Sequence, residues 1–324
     1  MAKRTVRDFD VAGKRALVRV DFNVPLKDGR VTDDTRIRAS LPTIAYLREQ
    51  GCRVILMSHL GRPKDAPDPA FALDPVAMRL GQLLEAPVRK LSDLTGPGVE
   101  AAVASMKPGD VVLLENSRFD PREKRNDPTL VYDLARLGDI YVNDAFSAAH
   151  RAHATTAGLA TVLPAMAGFQ MAREVVALEA LVAEPKRPFV VVLGGSKVTD
   201  KIKVIDRFLD LADQLLIGGA MSLAFLKAQG LSVGASKVEE EGLPYAEEAL
   251  KKAAQAECEL VLPTDIVAAD SFAEDAAAWA VGVDAIPDGW MGLDIGPATA
   301  EKYAAAIATA GEVFWNGPMG VFEM

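Results

Sequence analysis

The feature that most constrains the fold is an alternation of short apolar runs with longer helical patterns along all 324 residues. The runs are rich in β-branched residues and almost continuously apolar, which is typical of strands buried on both faces. The helical patterns between them often begin near Asp or Pro and end near Gly. This alternation predicts parallel sheets with helices on both faces, and the chain length predicts two domains. The runs are RALVRVDFN, CRVILMSHLGR, DVVLLENSRF, GDIYVNDAFSAAH, PFVVVLGGSK, QLLIGGAM, CELVLPTD, WMGLDIGP and EVFWNGP.

One segment interrupts this rhythm. Residues 168–188 have a long helical pattern without a strand of their own, and the pattern ends in Pro185 and Pro188. The charge balance also changes there: residues 1–170 carry 24 Lys and Arg against 21 Asp and Glu (+3), whereas residues 171–324 carry 12 against 24 (−12). We therefore predict an N-terminal domain over 1–167, a joining helix and hinge over 168–187, and a C-terminal domain over 188–324.

Composition excludes several classes of protein. The net charge of −9 argues against nucleic acid as a partner. No apolar run reaches the length of a membrane span, and the start MAKRTVRDFD lacks the apolar core of a signal peptide, so we expect a cytoplasmic protein with no membrane partner. Cys52 and Cys258 have no metal-like spacing and lead into apolar runs, which predicts buried thiols in a reducing compartment.

Ligands of open parallel sheets bind at the carboxyl ends of the strands, so the residues that follow each run are the candidates for binding. In the first half of the chain these are Asp21, Asn23, His59, Arg62, Arg118, Asn143, Asp144, His150 and Arg151. In the second half they are mostly glycines: Gly194, Gly195, Gly218, Gly219, Gly292, Gly296 and Gly317. The first set predicts a site for a small, highly charged anion. The second set lets the backbone approach closely and predicts a flat, less charged ligand such as a purine.

Two local patterns need an interpretation of their own. His150 and His153 have the spacing of half a metal site, but Arg151 between them would repel a cation, so an anion is the favoured ligand and a metal the alternative. The stretch REKR at 122–125 is interpreted as a solvated charge run.

The stretch GGSKVTDK at 194–201 leaves a strand and enters a helix, which Ser196 or Thr199 is expected to cap. Lys197 and Lys201 are unfavourable at a helix N-terminus unless a phosphate is bound there. The stretch is not a Walker A motif, and the chain has no Gly-x-Gly-x-x-Gly fingerprint.

Taken together, VRVDFNVPL, SHLGRP, LLENSRF, YVNDAFSAAHRAH, LGGSKVTDKI, IGGAM, GLDIGP and WNGPMGVFE resemble the signature stretches of the phosphoglycerate kinase family, in order and over essentially the whole chain. The resemblance implies an α/β fold of two doubly wound, Rossmann-like parallel-sheet domains joined by a helix and hinge. It implies reversible phosphoryl transfer between 1,3-bisphosphoglycerate plus ADP and 3-phosphoglycerate plus ATP, in glycolysis. Mg²⁺ would bind with the nucleotide, hinge bending would align the ligands, and we expect a monomer.

The resemblance also implies roles for individual residues. The phosphoglycerate site would consist of Asp21, Asn23, Arg36, His59, Arg62, Arg118 and Arg151, with His153 helping to shape it. The nucleotide site would consist of Gly195, Gly218 and Gly292 at the adenine, Lys201 and Asn316 at the phosphates, and Glu323 at the ribose. Arg36 and Lys197 would be the catalytic residues that flank the transferring phosphoryl group. No residue is assigned to a metal ion.

By the same resemblance, members of the family continue past GVFE with a glycine-rich loop, whose Asp meets the magnesium, and a final segment. We therefore expect a C-terminal domain that is incomplete relative to the family. This leaves a second hypothesis beside the active kinase, namely a catalytically weak fragment that binds phosphoglycerate only.

Overall fold

A computed structural model describes residues 4–323, which form two compact units divided between Leu178 and Glu179. The division falls inside the helix Phe169–Ala183, in the segment that the sequence predicts to join two domains. None of the helices within residues 4–323 is long and apolar enough to cross a membrane.

The first unit contains eight strands and six α-helices among its described residues, and a seventh helix, α7 (Phe169–Ala183), continues into the second unit. The strands are β1 Arg15–Arg19, β2 Leu26–Lys27, β3 Arg30–Val31, β4 Arg53–Met57, β5 Val88–Lys90, β6 Val111–Leu113, β7 Ile140–Asn143 and β8 Ala165–Ala167. The helices are α1 Thr35–Glu49, α2 Asp74–Leu84, α3 Pro97–Ala104, α4 Pro121–Lys124, α5 Pro128–Ala135, α6 Leu159–Val162 and α7 Phe169–Ala183. A π-helical turn, Ala154–Gly158, precedes α6.

Six of these strands form one parallel sheet in the order β5-β6-β4-β1-β7-β8, and β2 pairs with β3 in a short antiparallel hairpin. Neighbouring residues of β1 face opposite layers, as strand geometry requires. Val18 packs in a core cluster with Ile37 of α1, whereas Leu17 packs in a second cluster with Val103 of α3. Both faces of the sheet are therefore covered by helices, which explains why its strands are nearly continuous in apolar residues.

The second unit has the same plan around a smaller sheet. Its strands are β9 Phe189–Leu193, β10 Gln214–Ile217, β11 Glu259–Val261, β12 Asp265–Ala269, β13 Ala278–Gly282, β14 Met291–Ile295 and β15 Glu312–Asn316. Its helices are α8 Ile202–Leu209, α9 Ala220–Ala228, α10 Leu243–Ala253 and α11 Pro297–Ala308. A parallel sheet runs in the order β11-β10-β9-β15. Val191 and Val192 of β9 lie in different core clusters, one on each face.

One predicted strand lies outside the parallel sheets. The run WMGLDIGP contains β14, which pairs antiparallel with β12 in the three-stranded sheet β13-β12-β14, so its assignment to a parallel sheet is wrong. The connection from β12 to β13 has no helix, and a parallel crossover needs about a dozen residues or more. The sheet is also less covered, since Trp279 on β13 is 52% exposed.

Helix starts follow the sequence at some positions and not at others. Pro75 and Pro128 lie in the first turn of α2 and α5, as predicted. The expected capping by Ser196 or Thr199 is wrong: the Thr199 N–H donates to Oε2 of Glu239 (3.1 Å), and the Thr199 hydroxyl donates to Oε1 (2.6 Å). A distant carboxylate therefore satisfies the backbone donor that a local hydroxyl was expected to satisfy.

Candidate functional sites

A cationic cavity of about 200 Å³ lies in the first unit. The segments that form it follow β1, β4, β6 and β7, which are neighbours in the sheet, so their carboxyl ends meet at one edge. Four arginines and two histidines dominate the lining, and this composition suits a small anion with more than one negative charge. The lining residues are Arg19, Asn23, Arg36, His59, Arg118, Ser147, Ala148, Arg151 and His153.

Asp21 and Asn23, which follow β1, organise the rim of this cavity. Oδ2 of Asp21 accepts from Nη1 of Arg36 (2.6 Å) and from the hydroxyl of Ser147. Oδ1 of Asn23 accepts from the N–H of Gly61 (2.8 Å), which ties the loop after β1 to the loop after β4. Asp21 therefore holds a cationic side chain and a hydroxyl beside the cavity, while Asn23 keeps its amide in the lining.

The predicted arginines differ in exposure. Arg118 is 7% exposed and its Nη1 donates to the backbone oxygen of Gly61 (2.5 Å). Burial, followed by the charges of Arg151, Arg19 and Arg62, lowers the pKa of Arg118. Arg151 is exposed and lines the cavity, whereas Arg62 is exposed and lies outside the described lining. The cavity thus has the buried guanidinium of Arg118 in its lining together with the exposed one of Arg151.

Arg19 is a lining residue that the sequence reasoning missed. It is the last residue of β1 and is 1% exposed. Its Nε donates to Oγ1 of Thr155 (3.0 Å), its Nη1 to the backbone oxygen of Val20 (2.5 Å) and its Nη2 contacts Nδ1 of His59 (3.0 Å). It lies within the run RALVRVDFN, where a charged residue was counted as part of a strand and not as a ligand. The signal was its position two residues before Asp21.

His59 contributes a hydrogen-bond donor and not a charge. A guanidinium can only donate, so Nδ1 of His59 accepts from Arg19 and the ring proton is on Nε2. Burial lowers the pKa of His59 to about 2, and the charges of Arg19, Arg118, Arg151 and Arg36 act in the same direction. The imidazole is therefore neutral at physiological pH.

The interpretation of REKR as a solvated charge run is wrong for Glu123. Glu123 is 1% exposed and accepts at both oxygens from Thr155, from its N–H (2.9 Å) and from its hydroxyl (2.5 Å). The reason is the four-residue helix α4, which Asp120 caps through the N–H of Arg122 (2.9 Å) and which turns Glu123 inward. Desolvation raises the pKa of Glu123, and the charge of Arg19 opposes this.

The two histidines after β7 differ in environment. His150 is exposed and its Nε2 accepts from Nε of Arg151 (3.2 Å). His153 is half-buried, lines the cavity, and has its Nδ1 3.9 Å from Oε1 of Glu123. Across the part of the chain that the structure describes, no three His, Cys, Asp or Glu side chains are grouped to hold a metal ion. The arrangement of the cavity favours the anion over the metal alternative.

A larger groove of about 690 Å³ in the same unit lies beside the β2–β3 hairpin and α2. Two of its three arginines are already paired with a carboxylate, because Oδ1 of Asp34 pairs with Arg38 (2.8 Å) and Oδ2 pairs with Arg79 (2.6 Å). Size alone therefore does not identify the anion site. The smaller cavity, with four arginines in its lining, has the charge that suits an anion better.

A second cavity of about 430 Å³ lies in the second unit and has a different character. Its lining is mainly apolar and glycine-rich, with Lys237 and Glu323 as the charged members. This suits a flat ligand with an apolar surface. The lining residues are Gly195, Ser196, Gly219, Ala220, Leu223, Lys237, Phe272, Met291, Gly292, Leu293, Pro318, Gly320, Val321, Phe322 and Glu323.

The glycines at and around this cavity are required for two different reasons. Gly195 and Gly292 line it, whereas Gly218 is buried behind it, where an added Cβ would lie 2.5 Å from Sδ of Met319. An added Cβ on Gly194 would lie 1.9 Å from the backbone oxygen of Pro318. Close packing of the loop 317–321 on the ends of β9 and β10 therefore requires glycine at positions that sequence reasoning connected with the ligand alone.

The predicted phosphate-binding residues lie at the carboxyl ends of β9 and β15. Nζ of Lys201 contacts Oδ1 of Asn316 and donates to its backbone oxygen (3.0 Å). Burial lowers the pKa of Lys201. Lys197 is exposed, and neither Lys197, Lys201 nor Asn316 belongs to the described lining of the cavity. The structure thus brings Lys201 to Asn316, and no hydrogen bond within residues 4–323 joins Lys197 to either of them.

Two units with doubly wound parallel sheets, each with a cavity formed by strand-end loops, define an α/β protein of the kind that binds small molecules at the carboxyl edges of its sheets. The family model for phosphoglycerate kinase matches residues 6–324. Phosphoglycerate kinases from Moorella thermoacetica and Chloroflexus aggregans are 57% and 56% identical to the chain. In both comparisons the match covers 100% of this chain and 82% of the relative's length.

Solved structures are similar as well. The phosphoglycerate kinase of Coxiella burnetii has a TM-score of 0.84 at 41% identity, with 99% of this chain and 81% of that chain covered. The enzyme of Pyrococcus horikoshii has a TM-score of 0.85 at 32% identity, with 99% and 82% covered.

The chain belongs to the phosphoglycerate kinase family. It is a phosphotransferase that moves a phosphoryl group reversibly between 1,3-bisphosphoglycerate with ADP and 3-phosphoglycerate with ATP, a step of glycolysis. The predicted α/β class with parallel sheets in two units is confirmed. The alternative of a fragment that only binds phosphoglycerate is not favoured, because the similarity extends over the whole chain.

Proposed function

We propose that the cationic cavity of the first unit binds 3-phosphoglycerate or the acyl phosphate, and that the glycine-rich cavity of the second unit binds ADP or ATP. The observation that carries this proposal is the contrast between the two linings. Four arginines surround about 200 Å³ in one, and apolar side chains and glycines surround about 430 Å³ in the other. A small polyanion is favoured in the first environment, and a purine in the second.

In the first unit, Arg118 and Arg151 bind the phosphate or the carboxylate through charged hydrogen bonds. Asn23 contacts the ligand hydroxyl, and Asp21 acts beside it by holding Arg36 at the rim. His59 donates from Nε2 as a neutral group. Arg62, exposed beyond the described lining, joins these residues only at the mouth of the cavity.

In the second unit, Gly195 and Gly292 allow the adenine to approach the backbone, and Gly218 supports the pocket from behind. Glu323, which lines the cavity, accepts from the ribose hydroxyls. Lys201 and Asn316, already in contact with each other, bind the nucleotide phosphates. Burial lowers the pKa of Lys201, and a bound phosphate would oppose this because a nearby negative charge favours the charged form of lysine.

The reaction needs positioning and charge stabilisation more than proton transfer. The attacking carboxylate of 3-phosphoglycerate is already ionised at neutral pH, so no general base is required. Arg36 and Lys197, both exposed, are proposed to neutralise the charge on the transferring phosphoryl group. Because the two ligands must meet, bending within the proposed hinge 168–187, between domains 1–167 and 188–324, is part of this proposal.

Mg²⁺ is proposed to enter as part of the nucleotide substrate. In kinases this ion is usually held by one or two carboxylates together with the substrate phosphates, and does not need a dedicated protein cage. We further propose, from the role of the family in glycolysis, that the protein acts in the cytoplasm as a monomer.

A cross-binding experiment tests the division of ligands. Calorimetric titrations with 3-phosphoglycerate and with ADP are made on the wild type, Arg151→Ala and Lys201→Ala. We expect Arg151→Ala to lose about ten- to hundredfold in 3-phosphoglycerate affinity and little for ADP, with the reverse for Lys201→Ala. If either variant lost affinity equally for both ligands, or if neither variant lost affinity for either ligand, the assignment of one ligand to each cavity would be refuted.

A further inference from the structure

A buried chain of hydrogen bonds runs beneath the cationic cavity, from a carboxylate to the imidazole. Oε1 of Glu123 accepts from the hydroxyl of Thr155 (2.5 Å), and the same hydroxyl oxygen accepts from Nε of Arg19 (3.0 Å). Nη2 of Arg19 in turn donates to Nδ1 of His59 (3.0 Å). Glu123, Thr155 and Arg19 are each at most 1% exposed, so solvent does not compete for these bonds.

The direction of every bond in this chain is fixed by chemistry. Arg19 has donors only, so Thr155 must accept from it and can donate its single hydroxyl proton onward only to Glu123. The N–H of Thr155 occupies Oε2 of Glu123 (2.9 Å). Both carboxylate oxygens therefore act as acceptors, which is the arrangement of the ionised form. Within this chain of hydrogen bonds, Glu123 is the negative group that lies nearest to the buried guanidinium of Arg19.

Other charged or titratable groups face the same region. Arg118, Arg151 and Arg36 act on His59, and Tyr141 and Asp21 act on Arg19. The hydroxyl of Tyr141 donates to the backbone oxygen of Thr155 (2.8 Å), which fixes the residue in the middle of the chain. His59 thus meets cations on several sides, and only a neutral imidazole with a free Nε2 proton satisfies all of its contacts.

We propose that Glu123 and Thr155 are positioning residues for phosphoglycerate binding, because they hold Arg19 so that it fixes His59 as the tautomer with its proton on Nε2. The inference rests on the proposed binding of phosphoglycerate in this cavity. His59 then offers an N–H donor to a ligand oxygen at every pH between about 5 and 9, without the titration expected of an ordinary histidine. Neither Glu123 nor Thr155 lines the cavity, so both act through Arg19.

The tautomer of His59 can be measured without any ligand. The chain has three histidines, so ¹⁵N chemical shifts of the imidazole nitrogens can be assigned with single His variants. In the wild type we expect one tautomer, protonated at Nε2, from pH 5 to pH 9. In Thr155→Val, which keeps the shape and removes the hydroxyl, we expect a mixture of tautomers or the appearance of titration. Thr155→Ser should restore the wild-type spectrum.

Steady-state kinetics then tests the effect on the ligand. Thr155→Val and Glu123→Gln should raise the KM for 3-phosphoglycerate by about tenfold and leave the KM for ATP within about twofold. Glu115→Gln is the matched control. Glu115 is also a buried carboxylate of the first unit, 8% exposed, but it pairs with Lys90. It should leave the KM for 3-phosphoglycerate unchanged. Thermal unfolding of each variant shows that it is folded, and Thr155→Val carries the test if Glu123→Gln does not fold.

The outcomes separate this inference from the proposed function. An unchanged Nε2 tautomer in Thr155→Val would overturn the positioning role even if 3-phosphoglycerate binds in the cavity. A changed tautomer with an unchanged KM would overturn the link to binding. Failure of Arg151→Ala to weaken 3-phosphoglycerate would instead refute the proposed site itself, and the spectra of His59 would still report on the hydrogen-bond chain.

Discussion

Asp144 gives a prediction about stability that can be worked out from one buried carboxyl. It follows β7 and is 1% exposed. Its Oδ1 accepts from the N–H groups of Gln170 (2.8 Å) and Met171 (3.3 Å) at the start of α7, while its Oδ2 has no hydrogen-bond partner among residues 4–323. Burial raises the pKa of Asp144 to about 6, and the nearby polar groups of Thr43, Met171 and Gln170 only partly oppose this.

The sign follows from the direction of the pKa change. The folded state prefers the protonated acid, so the stabilisation is fully present below pH 4 and is lost as pH rises through about 6. A rise from 3.8 to about 6 corresponds to about 3 kcal/mol of unfolding free energy. Asp144→Asn keeps the Oδ1 acceptor and cannot ionise. As pH rises from 4 to 8, the unfolding free energy of the variant should therefore increase by about 3 kcal/mol relative to that of the wild type.

Guanidinium denaturation at pH values from 4 to 8 measures this difference. Circular dichroism follows both units, whereas tryptophan fluorescence reports the second unit alone, since Trp279, Trp290 and Trp315 all lie there. Comparing the two signals separates the transitions. The difference in unfolding free energy between Asp144→Asn and the wild type should change by about 3 kcal/mol over this range. A change of less than about 1 kcal/mol would refute this prediction.

Three further predictions concern the two sites. Gly194→Ala would place a Cβ 1.9 Å from the backbone oxygen of Pro318, so it should displace the loop 317–321 and destabilise the second unit by about 1–3 kcal/mol, as read from tryptophan fluorescence in guanidinium. An unchanged midpoint would contradict this. Lys197→Ala should lower kcat with little change in the KM for ATP, whereas Lys201→Ala should mainly raise that KM. Equal effects of the two variants on kcat and on KM in a coupled assay would show that these roles are wrongly divided. Arg62→Ala, outside the described lining, should weaken 3-phosphoglycerate by less than about fivefold in calorimetry, and a larger loss would place it inside the site.

Much of the fold is readable in the sequence because burial on both faces leaves a clear apolar signature. The runs that became β1, β4, β6, β7, β9, β10 and β15 were all identified, together with the polar or glycine residues at their carboxyl ends. The antiparallel sheet was not, because β13 is exposed over its first three residues and β12 is only partly buried. Their pattern, with Trp279 at the surface, differs little from that of a loop.

The cationic cavity was predicted in outline, and the groups beneath it were missed. Strand-end position pointed to His59, Arg118 and Arg151, since these follow recognisable runs. Arg19 lies inside a strand and Glu123 lies inside a charged stretch, so local composition describes both wrongly. Only the tertiary structure brings a strand residue and a short-helix residue together around Thr155, and this pairing across more than a hundred residues leaves no local signal.

The most direct test of the account is a crystal structure of the protein with 3-phosphoglycerate. We predict the ligand in the cationic cavity, with its phosphate or carboxylate on Arg118 and Arg151, and with an oxygen within about 3 Å of Nε2 of His59. Density for the ligand in the larger groove beside Arg38 and Arg79, with the cationic cavity holding only water, would contradict it.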